Sequence, residues 1–378
     1  MTKNYLLAVA SLMGTIIGVG LFAIPYVIVK SGLVPLIFYF VALAALQYYL
    51  HLLFAEIILS SKGDHRLPGY MEKHNGKYGK YLTLIIAIFS EYGATLAYII
   101  VGGLFLHQLL NPIFGGSLAF YASILFALEA FIVLCGIKIM AEAEFIMTAF
   151  LILIILLISY KGLGLAHLSN YSLISWPNVF LPYGPIFFAV SGMVVIPDIC
   201  KLLAREKEKI KSAIAWGTFS AAGLMMLFVA VIVGVTGGQT TPDTLAGLSG
   251  FFSPALLRAA LLFGLFAIIT SMIATMESTR EIFWWDFKIN KHLAWALAGL
   301  APFFLYLFGW RDITKVVSLT GAVSGGILGI AVIYLALRIK QKCERQSCIK
   351  NKINDLIGFG LSLLFLLGLM YEIWNVFK

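Results

Sequence analysis

The chain has 378 residues, of which 61% are hydrophobic and 12% are charged, and its mean hydropathy is +0.96. Soluble domains have about 45–50% apolar and roughly 25% charged residues, so these values exclude a soluble globular protein, a secreted disulfide scaffold and a sizeable soluble catalytic domain. The length suffices for about eleven membrane-spanning helices of roughly 20–25 residues. The composition therefore predicts an all-α polytopic membrane protein.

Eleven long apolar runs follow one another, and no low-complexity linker divides them, so we predict one transmembrane domain over residues 1–378. The first run is a retained span and not a cleaved signal peptide, because it stays apolar as far as Val29. The longest connectors, 162–183 and 237–254, are predicted to be structured caps on the outer face. The predicted spans are 5–29, 33–60, 81–110, 118–137, 143–161, 184–203, 212–236, 255–279, 291–310, 313–338 and 354–377.

Lysines and arginines are distributed unevenly between the two sides of this arrangement. With the N-terminus inside, 21 of the 27 cations fall in inner segments and 6 in outer ones. Cytoplasmic loops carry an excess of these residues, so we predict a plasma (inner) membrane protein with a cytoplasmic N-terminus and an external C-terminus. The net charge of +9 then reflects orientation in the lipid bilayer, and neither nucleic acid nor an obligatory protein partner is expected.

The first span contains three glycines and a proline within twelve residues, namely Gly14, Gly18, Gly20 and Pro25. Both residue types weaken a continuous helix, so we predict a break in this span. Close helix packing is the alternative, because Gly14 and Gly18 also fit a G-xxx-G pattern.

The sixth span repeats part of this pattern. Gly20 and Gly192 each begin the string Gly-x-x-x-Ile-Pro, 172 residues apart. The copies lie five spans apart, an odd number, so the halves 5–161 and 184–338 would cross the membrane in opposite senses. Broken helices at matching positions of an inverted repeat indicate a transporter's substrate site. The run at 354–377 would be one extra C-terminal helix.

Broken helices inside a bilayer have a specific chemistry. Unwound backbone is tolerated only where it faces protein, a polar cavity or a ligand. The N-terminus of a half-helix offers free amides that suit a carboxylate, and freed carbonyls suit a cation. Together these groups favour a zwitterion, of which an α-amino acid is the obvious example.

The broken segments also resemble a known family. Residues 14–26, GTIIGVGLFAIPY, are similar to the first-helix motif of the amino acid–polyamine–organocation superfamily, above all to its amino acid/auxin permease and aromatic amino acid permease branches. Residues 188–192 and 196–198 look like the corresponding sixth helix. The resemblance implies the leucine-transporter fold, with five helices, an inverted copy of five and one extra helix, and it implies an amino acid permease.

The breaks and the resemblance together define a candidate substrate site. We expect the substrate carboxylate on amides of residues 18–20 and its ammonium on carbonyls of Thr15 and of residues 189–191. Aromatic side chains of span three and Met193 indicate room for an apolar or aromatic substrate. The candidate residues are Gly14, Thr15, Ile17, Gly18, Val19, Gly20, Tyr92, Tyr98, Ala189, Val190, Ser191 and Gly192.

Thr270 and Ser271 are adjacent in span eight and resemble the hydroxyl pair that completes a sodium site in the superfamily. Hard cations prefer oxygen ligands, and the carbonyls of Gly14 and Ile17 would add two. The alternative is that these hydroxyls bond their own helix backbone. Proton-coupled relatives can place a lysine of span five here, but residues 145–159 contain none, which favours Na⁺ over H⁺. No other cofactor or metal is expected.

Three acidic residues are candidates for gating or proton coupling. Glu91 lies at mid-depth of span three, where an ionisable group is costly and usually functional; it could titrate, line the cavity or cap a polar network. Asp198 follows the second break, and Glu277 with Arg280 of span eight would complete an ion-paired cytoplasmic gate. Charges at helix ends can also lack a function. The interior residue His51 is interpreted as structural.

Other classes of membrane protein have less support. The sequence has no His-Glu-x-x-His, Asp-rich or P-loop motif, which argues against a membrane enzyme acting on a lipid or peptide. It shows no repeated filter segment of a channel and has no room for an ATPase domain. We therefore predict a secondary active, ion-coupled amino acid permease that works by alternating access and is not an enzyme. Transport of a polyamine or another small organic solute is the alternative.

Overall fold

Within residues 2–136, 141–339 and 355–377, which the computed structural model describes, the chain forms helices joined by turns and short connectors. The helices are α1 (Lys3–Ile16), α2 (Gly20–Ser31), α3 (Leu33–Ser60), α4 (Leu67–Phe114), α5 (Leu118–Leu134), α6 (Ala141–Leu163), α7 (Tyr183–Ala189), α8 (Ile196–Leu202), α9 (Ile210–Thr236), α10 (Pro254–Glu281), α11 (Lys291–Leu307), α12 (Ile313–Val323), α13 (Gly329–Ile339) and α14 (Asp355–Phe377). Residues 137 and 354, at the ends of two predicted spans, lie outside the described residues, as do Lys138, Lys340, Lys342, Arg345, Lys350, Lys352 and Lys378 of the charge count.

Length and apolar composition identify the chain as an integral, multi-pass membrane protein. Eight helical stretches in the described residues could cross a membrane, or nine if the bent pair α1 and α2 is one span. Helices α5 and α11 are apolar but have only 17 residues each. The all-α class is confirmed, and the count of eleven spans stays a prediction.

The break predicted in span one is present. Helix α1 ends at Ile16 and α2 begins at Gly20, and the two are bent by 50°. Within the break the Gly18 amide donates to the Ile16 carbonyl at 2.8 Å, which is a tight turn in place of a helical bond. Pro25 lies inside α2, one turn beyond the break, where its missing N–H weakens the helix further.

Span six is also broken where the sequence predicts it. Helix α7 ends at Ala189, a 3₁₀ turn covers Met193–Val195, and α8 begins at Ile196. The two breaks touch, because a Cβ atom placed on Gly20 would lie 2.6 Å from the Cβ atom of Ala189. Glycine is required at this contact, and the contact brings the two unwound segments into one place.

The remaining helices surround these breaks. Helices α3 and α9 pack against each other, and α1 packs against α9 and α6. A second group is formed by α4, which packs against α5, α10 and α12. The connectors at 162–183 and 237–254 contain short 3₁₀ turns, and the Thr244 hydroxyl in the second donates to the Phe22 carbonyl of α2 at 2.5 Å.

Helix α4 starts earlier than the sequence predicts. Its first residue is Leu67, and the chain turns at Gly76, whose φ of 73° lies in the left-handed region that favours glycine. The polar stretch before residue 81 looks like a loop because it is rich in charge, yet it forms helix on both sides of this turn.

Candidate functional site

A cavity of about 120 Å³ lies where the two broken spans meet. It is bounded by both breaks, by α4 and by α10, and its wall combines backbone, hydroxyl and apolar groups. The lining residues are Thr15, Ile16, Gly18, Val19, Gly20, Gln47, Phe54, Arg66, Leu67, Pro68, Ala87, Ser90, Glu91, Ala94, Tyr98, Phe188, Ala189, Ser191, Met193, Val194, Pro197, Thr275, Ser278, Ile282, Ser324 and Leu328.

The first wall of the cavity is the break of span one. Val19 and Gly20 form the start of α2, where the first amides of a helix have no partner in the preceding turn. The hydroxyl of Thr15 is buried and has no hydrogen-bond partner among the residues that the structure describes. A Cβ atom on Gly18 would lie 3.4 Å from the Tyr98 hydroxyl, so span three closes on the break from the opposite side.

The second wall is the break of span six. Ala189 and Ser191 line the cavity, whereas Val190 and Gly192 lie behind them. The Ser191 amide donates to the Phe188 carbonyl at 3.2 Å. The Gly192 amide leaves the helical pattern and donates to Nε2 of His51 at 3.1 Å.

Span three supplies the third wall of the cavity, and only some of its predicted site residues line that cavity. Glu91 lines the cavity and accepts a hydrogen bond from the Ser278 hydroxyl at 3.3 Å. Tyr98 lines it too. Tyr92 lies outside the lining, and its hydroxyl donates to the Leu297 carbonyl of α11 at 2.6 Å.

Of the two hydroxyls predicted to bind sodium, one faces the break of span one and the other does not. Ser271 is buried and faces the first break, since a Cβ atom on Gly18 would lie 3.6 Å from its Oγ. The Thr270 hydroxyl instead donates to its own helix, to the carbonyls of Ala267 at 3.0 Å and Phe266 at 3.3 Å. Ile17 belongs to the first break and Gly14 to the last turn of α1, and both are absent from the cavity lining.

Sequence reasoning missed Arg66, which lies at the α8 end of the cavity. Its Nε and Nη2 donate to Oε2 of Glu281 at 2.9 and 2.6 Å, and its Nη1 donates to the Val194 carbonyl at 2.6 Å. Its Nη2 also donates to Asp198 at 3.2 Å. One buried guanidinium therefore joins the start of α4 to the second break, to α8 and to α10. The sequence feature that could have pointed to Arg66 is its position directly before the apolar pair Leu67 and Pro68.

The predicted grouping of Asp198 with Glu277 and Arg280 is wrong. Arg280 donates to Glu277 of its own helix at 2.5 Å and to the Val133 carbonyl of α5 at 2.8 Å. Asp198 pairs with Arg66 instead. The prediction failed because Glu277 and Arg280, three residues apart on one helix turn, pair with each other.

Solved structures show the fold to which this geometry belongs. The chain is similar to MhsT in complex with L-phenylalanine, with a TM-score of 0.70, 15% identity, and coverage of 100% of this chain and 98% of that chain. It is also similar to Mhp1, a nucleobase-cation-symport-1 family transporter with bromovinylhydantoin bound, with a TM-score of 0.73, 14% identity, and coverage of 99% and 91%. A manganese transporter of Eremococcus coleocola matches with a TM-score of 0.60, 11% identity, and coverage of 99% and 94%. The architecture is the leucine-transporter fold.

Sequence comparison identifies the family. No protein of curated function matches the chain. The profile of the tryptophan/tyrosine permease family, in contrast, matches residues 1–374, almost the whole chain. This match agrees with the predicted transporter class, while the placement in a branch of the larger superfamily stays a prediction. The chain belongs to the tryptophan/tyrosine permease family.

Proposed function

We propose that this permease carries an α-amino acid with an apolar or aromatic side chain, by ion-coupled alternating access across the plasma membrane. The observation that carries the proposal is that both broken helices open onto the same cavity. One break supplies the amide-rich start of α2, and the other supplies the carbonyl-rich end of α7. A zwitterion complements both.

The substrate carboxylate would bind amides of residues 18–20 at the start of α2, where the Gly18 amide would exchange its bond to the Ile16 carbonyl for one to the substrate. Its ammonium would bind carbonyls of Thr15 and of Ala189–Ser191, with Glu91 across the cavity as an additional acceptor. The side chain would extend toward Tyr98 and the apolar part of the lining. The family's name and the L-phenylalanine bound to the similar protein MhsT support an aromatic substrate.

Alternating access would move spans one, two, six and seven against spans three, four, eight and nine. The Arg66 cluster, formed by Arg66, Asp198 and Glu281, joins α8 of the first group to α10 of the second. With the N-terminus inside, as the charge distribution predicts, this cluster lies at the cytoplasmic end and would act as the inner gate.

Uptake by the purified protein in proteoliposomes tests the proposal. A panel of labelled amino acids, a polyamine and a nucleobase is offered under an imposed Na⁺ gradient, an imposed H⁺ gradient or neither. We expect gradient-driven uptake of tryptophan, tyrosine or phenylalanine. Uptake of the polyamine alone would favour the alternative solute class, and the absence of any gradient-driven uptake would refute the permease proposal.

The coupling ion is proposed to be Na⁺, bound by Ser271 with carbonyls of Gly14 and Ile17 and, after a rotation of its side chain, by Thr270. If Na⁺ drives uptake, Ser271→Ala should remove the stimulation by Na⁺. Ser123→Ala is the matched control, because the Ser123 hydroxyl bonds the Ala119 carbonyl of its own helix and is absent from the cavity lining. Stimulation that survives in Ser271→Ala would remove this ion site and favour the proton.

A further inference from the structure

His51 of α3 is fully buried, with 0% of its surface exposed, and both of its ring nitrogens have partners. Nε2 lies 3.1 Å from the amide nitrogen of Gly192, in the break of span six. Nδ1 lies 3.2 Å from the hydroxyl of Thr218 on α9. One imidazole therefore connects three of the four spans that would move together.

The partners fix the state of the ring. A backbone amide can only donate, so Nε2 of His51 must be the acceptor and carries no proton. The proton of the neutral ring is then on Nδ1 and is donated to the Thr218 hydroxyl. Two bonds of defined direction hold the imidazole, and a charged ring, which carries a proton on Nε2 as well, could not accept the bond from Gly192.

The Gly192 amide needs this acceptor because the helix around it is interrupted. Inside a bilayer an amide has no water to bond, so a break must be satisfied by protein or ligand. On the side of span one, Gly192 meets the apolar side chains of Leu12 and Ile16: a Cβ atom on Gly192 would lie 2.5 Å from Leu12 Cδ1 and 3.1 Å from Ile16 Cγ1. Leu12 also packs against Gly217, the neighbour of Thr218, since a Cβ atom there would lie 2.7 Å from Leu12 Cδ2.

We propose that His51 is a positioning residue for the substrate site, which as a neutral imidazole holds the unwound segment at Gly192. Ser191, the adjacent residue, lines the cavity, so the His51 bond sets where the Ser191 backbone lies. Through Thr218 the same ring ties the break to α9, and spans two, six and seven then move as one body. This inference rests on the proposed function, because it assigns His51 to the site that binds the substrate.

Two substitutions separate the bonds of the imidazole. His51→Gln places an amide oxygen near the position of Nε2 and retains an acceptor for Gly192, whereas the shorter His51→Asn reaches only the position of Nδ1. We expect the Kd for tryptophan, tyrosine or phenylalanine to rise roughly tenfold in His51→Asn, because a buried amide loses its partner. The Kd should stay within roughly threefold of wild type in His51→Gln, which is rescue by the variant that keeps the acceptor.

Hydrogen–deuterium exchange gives a readout that needs no substrate. The peptide that contains Gly192 should exchange faster in His51→Asn and as in wild type in His51→Gln. Equal exchange and equal affinity in the two variants would overturn the proposal. If the wild-type protein binds none of the three amino acids, the proposed function fails while the exchange result still decides the role of His51.

Thr218 keeps the test informative if His51→Asn does not fold. Thr218→Val removes the acceptor of Nδ1, so the ring can turn and exchange at Gly192 should rise. Thr218→Ser keeps the hydroxyl and is the matched control, with exchange as in wild type. Unchanged exchange in Thr218→Val would contradict the proposal that Thr218 orients the ring.

Discussion

At the scale of single residues, Arg66 has the densest polar contacts in the site. Its guanidinium binds Glu281, Asp198 and a carbonyl of the second break, and the Arg66 and Glu281 side chains are 8% and 2% exposed. Removing one member of a buried ion pair costs about 3–5 kcal/mol. A planar guanidinium makes this set of bonds and an ammonium cannot.

We therefore expect Arg66→Lys to lower uptake about tenfold or more, because an ammonium cannot place two donors on Oε2 of Glu281 and also reach Asp198 and the Val194 carbonyl. Arg66→Ala should also lower the thermal stability of the purified protein. The control is Asp64→Asn, which removes the exposed pair of Asp64 with Lys201 between the same two parts of the chain. Exposed pairs contribute about 0–1 kcal/mol, so Asp64→Asn should hardly change uptake. Equal losses of uptake in Arg66→Lys and Asp64→Asn would show that burial of the Arg66 cluster does not matter for transport.

Contacts between residues far apart in the chain limit what can be predicted from the sequence. Glycine and proline spacing predicts both breaks because backbone preference is local. The direction in which a hydroxyl points depends on tertiary contacts. Thr270 and Ser271 are adjacent in sequence, yet the Thr270 hydroxyl bonds its own helix and the Ser271 hydroxyl faces the break. The partners of Arg66 and His51 lie 128 or more residues away in sequence, so no pattern of neighbouring residues predicts them.

At the scale of elements, the contact of the two breaks depends on Gly20. A methyl group there would meet the Cβ atom of Ala189 at 2.6 Å and its Cα atom at 2.7 Å. The backbone of α7 would have to shift, because neither atom belongs to a flexible side chain. Overpacking of this kind costs about 1–3 kcal/mol.

Gly20→Ala should lower the melting temperature and raise the KM of uptake, since it separates the two halves of the site. Gly223→Ala in α9 is the matched control, because among the described residues no atom outside the adjacent backbone of α9 lies within 4 Å of the added methyl group. Replacement of a helical glycine by alanine stabilises by up to about 1 kcal/mol. Wild-type KM and stability in Gly20→Ala would contradict the close approach of the breaks.

The last helix supports α7 in a way that the sequence does not reveal. Oε1 of Glu372 accepts a hydrogen bond at 3.0 Å from the amide of Gly184, in the first turn of α7. With 7 residues, α7 is too short to be stable alone. A buried carboxyl of α14 thus satisfies an amide that the short helix leaves without an internal partner.

Glu372→Ala should lower the thermal stability by about 1–3 kcal/mol, because the Gly184 amide becomes a buried donor without an acceptor. Glu372→Gln keeps an acceptor and should lose less. Ser362→Ala on the same helix is the control, since its hydroxyl bonds only the Gly358 carbonyl of α14. A loss in Glu372→Gln as large as in Glu372→Ala would mean that the amide bond is not the cause.

At the scale of the whole molecule, the charge distribution predicts which connectors face the cytoplasm. Leu168, in one connector, is 89% exposed, and Lys207 lies in the basic segment before α9. In a background without native cysteines, Leu168→Cys should react with an impermeant maleimide on intact cells. Lys207→Cys should react only after the cells are opened, and the reverse pattern would invert the topology.

The bend of α4 at Gly76 bears on the depth of the proposed substrate site in the membrane. At about 1.5 Å per residue, the 48 residues of this helix would measure about 72 Å if straight, more than twice the hydrocarbon thickness of about 30 Å. We therefore expect the segment before Gly76 to run along the membrane surface. Tyr78, which is 95% exposed just after the bend, and the neighbouring lysines suit the headgroup layer. Measured from this bend, Glu91 lies about 22 Å along the helix. This is about half of the roughly 40–45 Å thickness of a bilayer with its headgroups, so a bend in the headgroup layer would place the cavity close to the bilayer midplane.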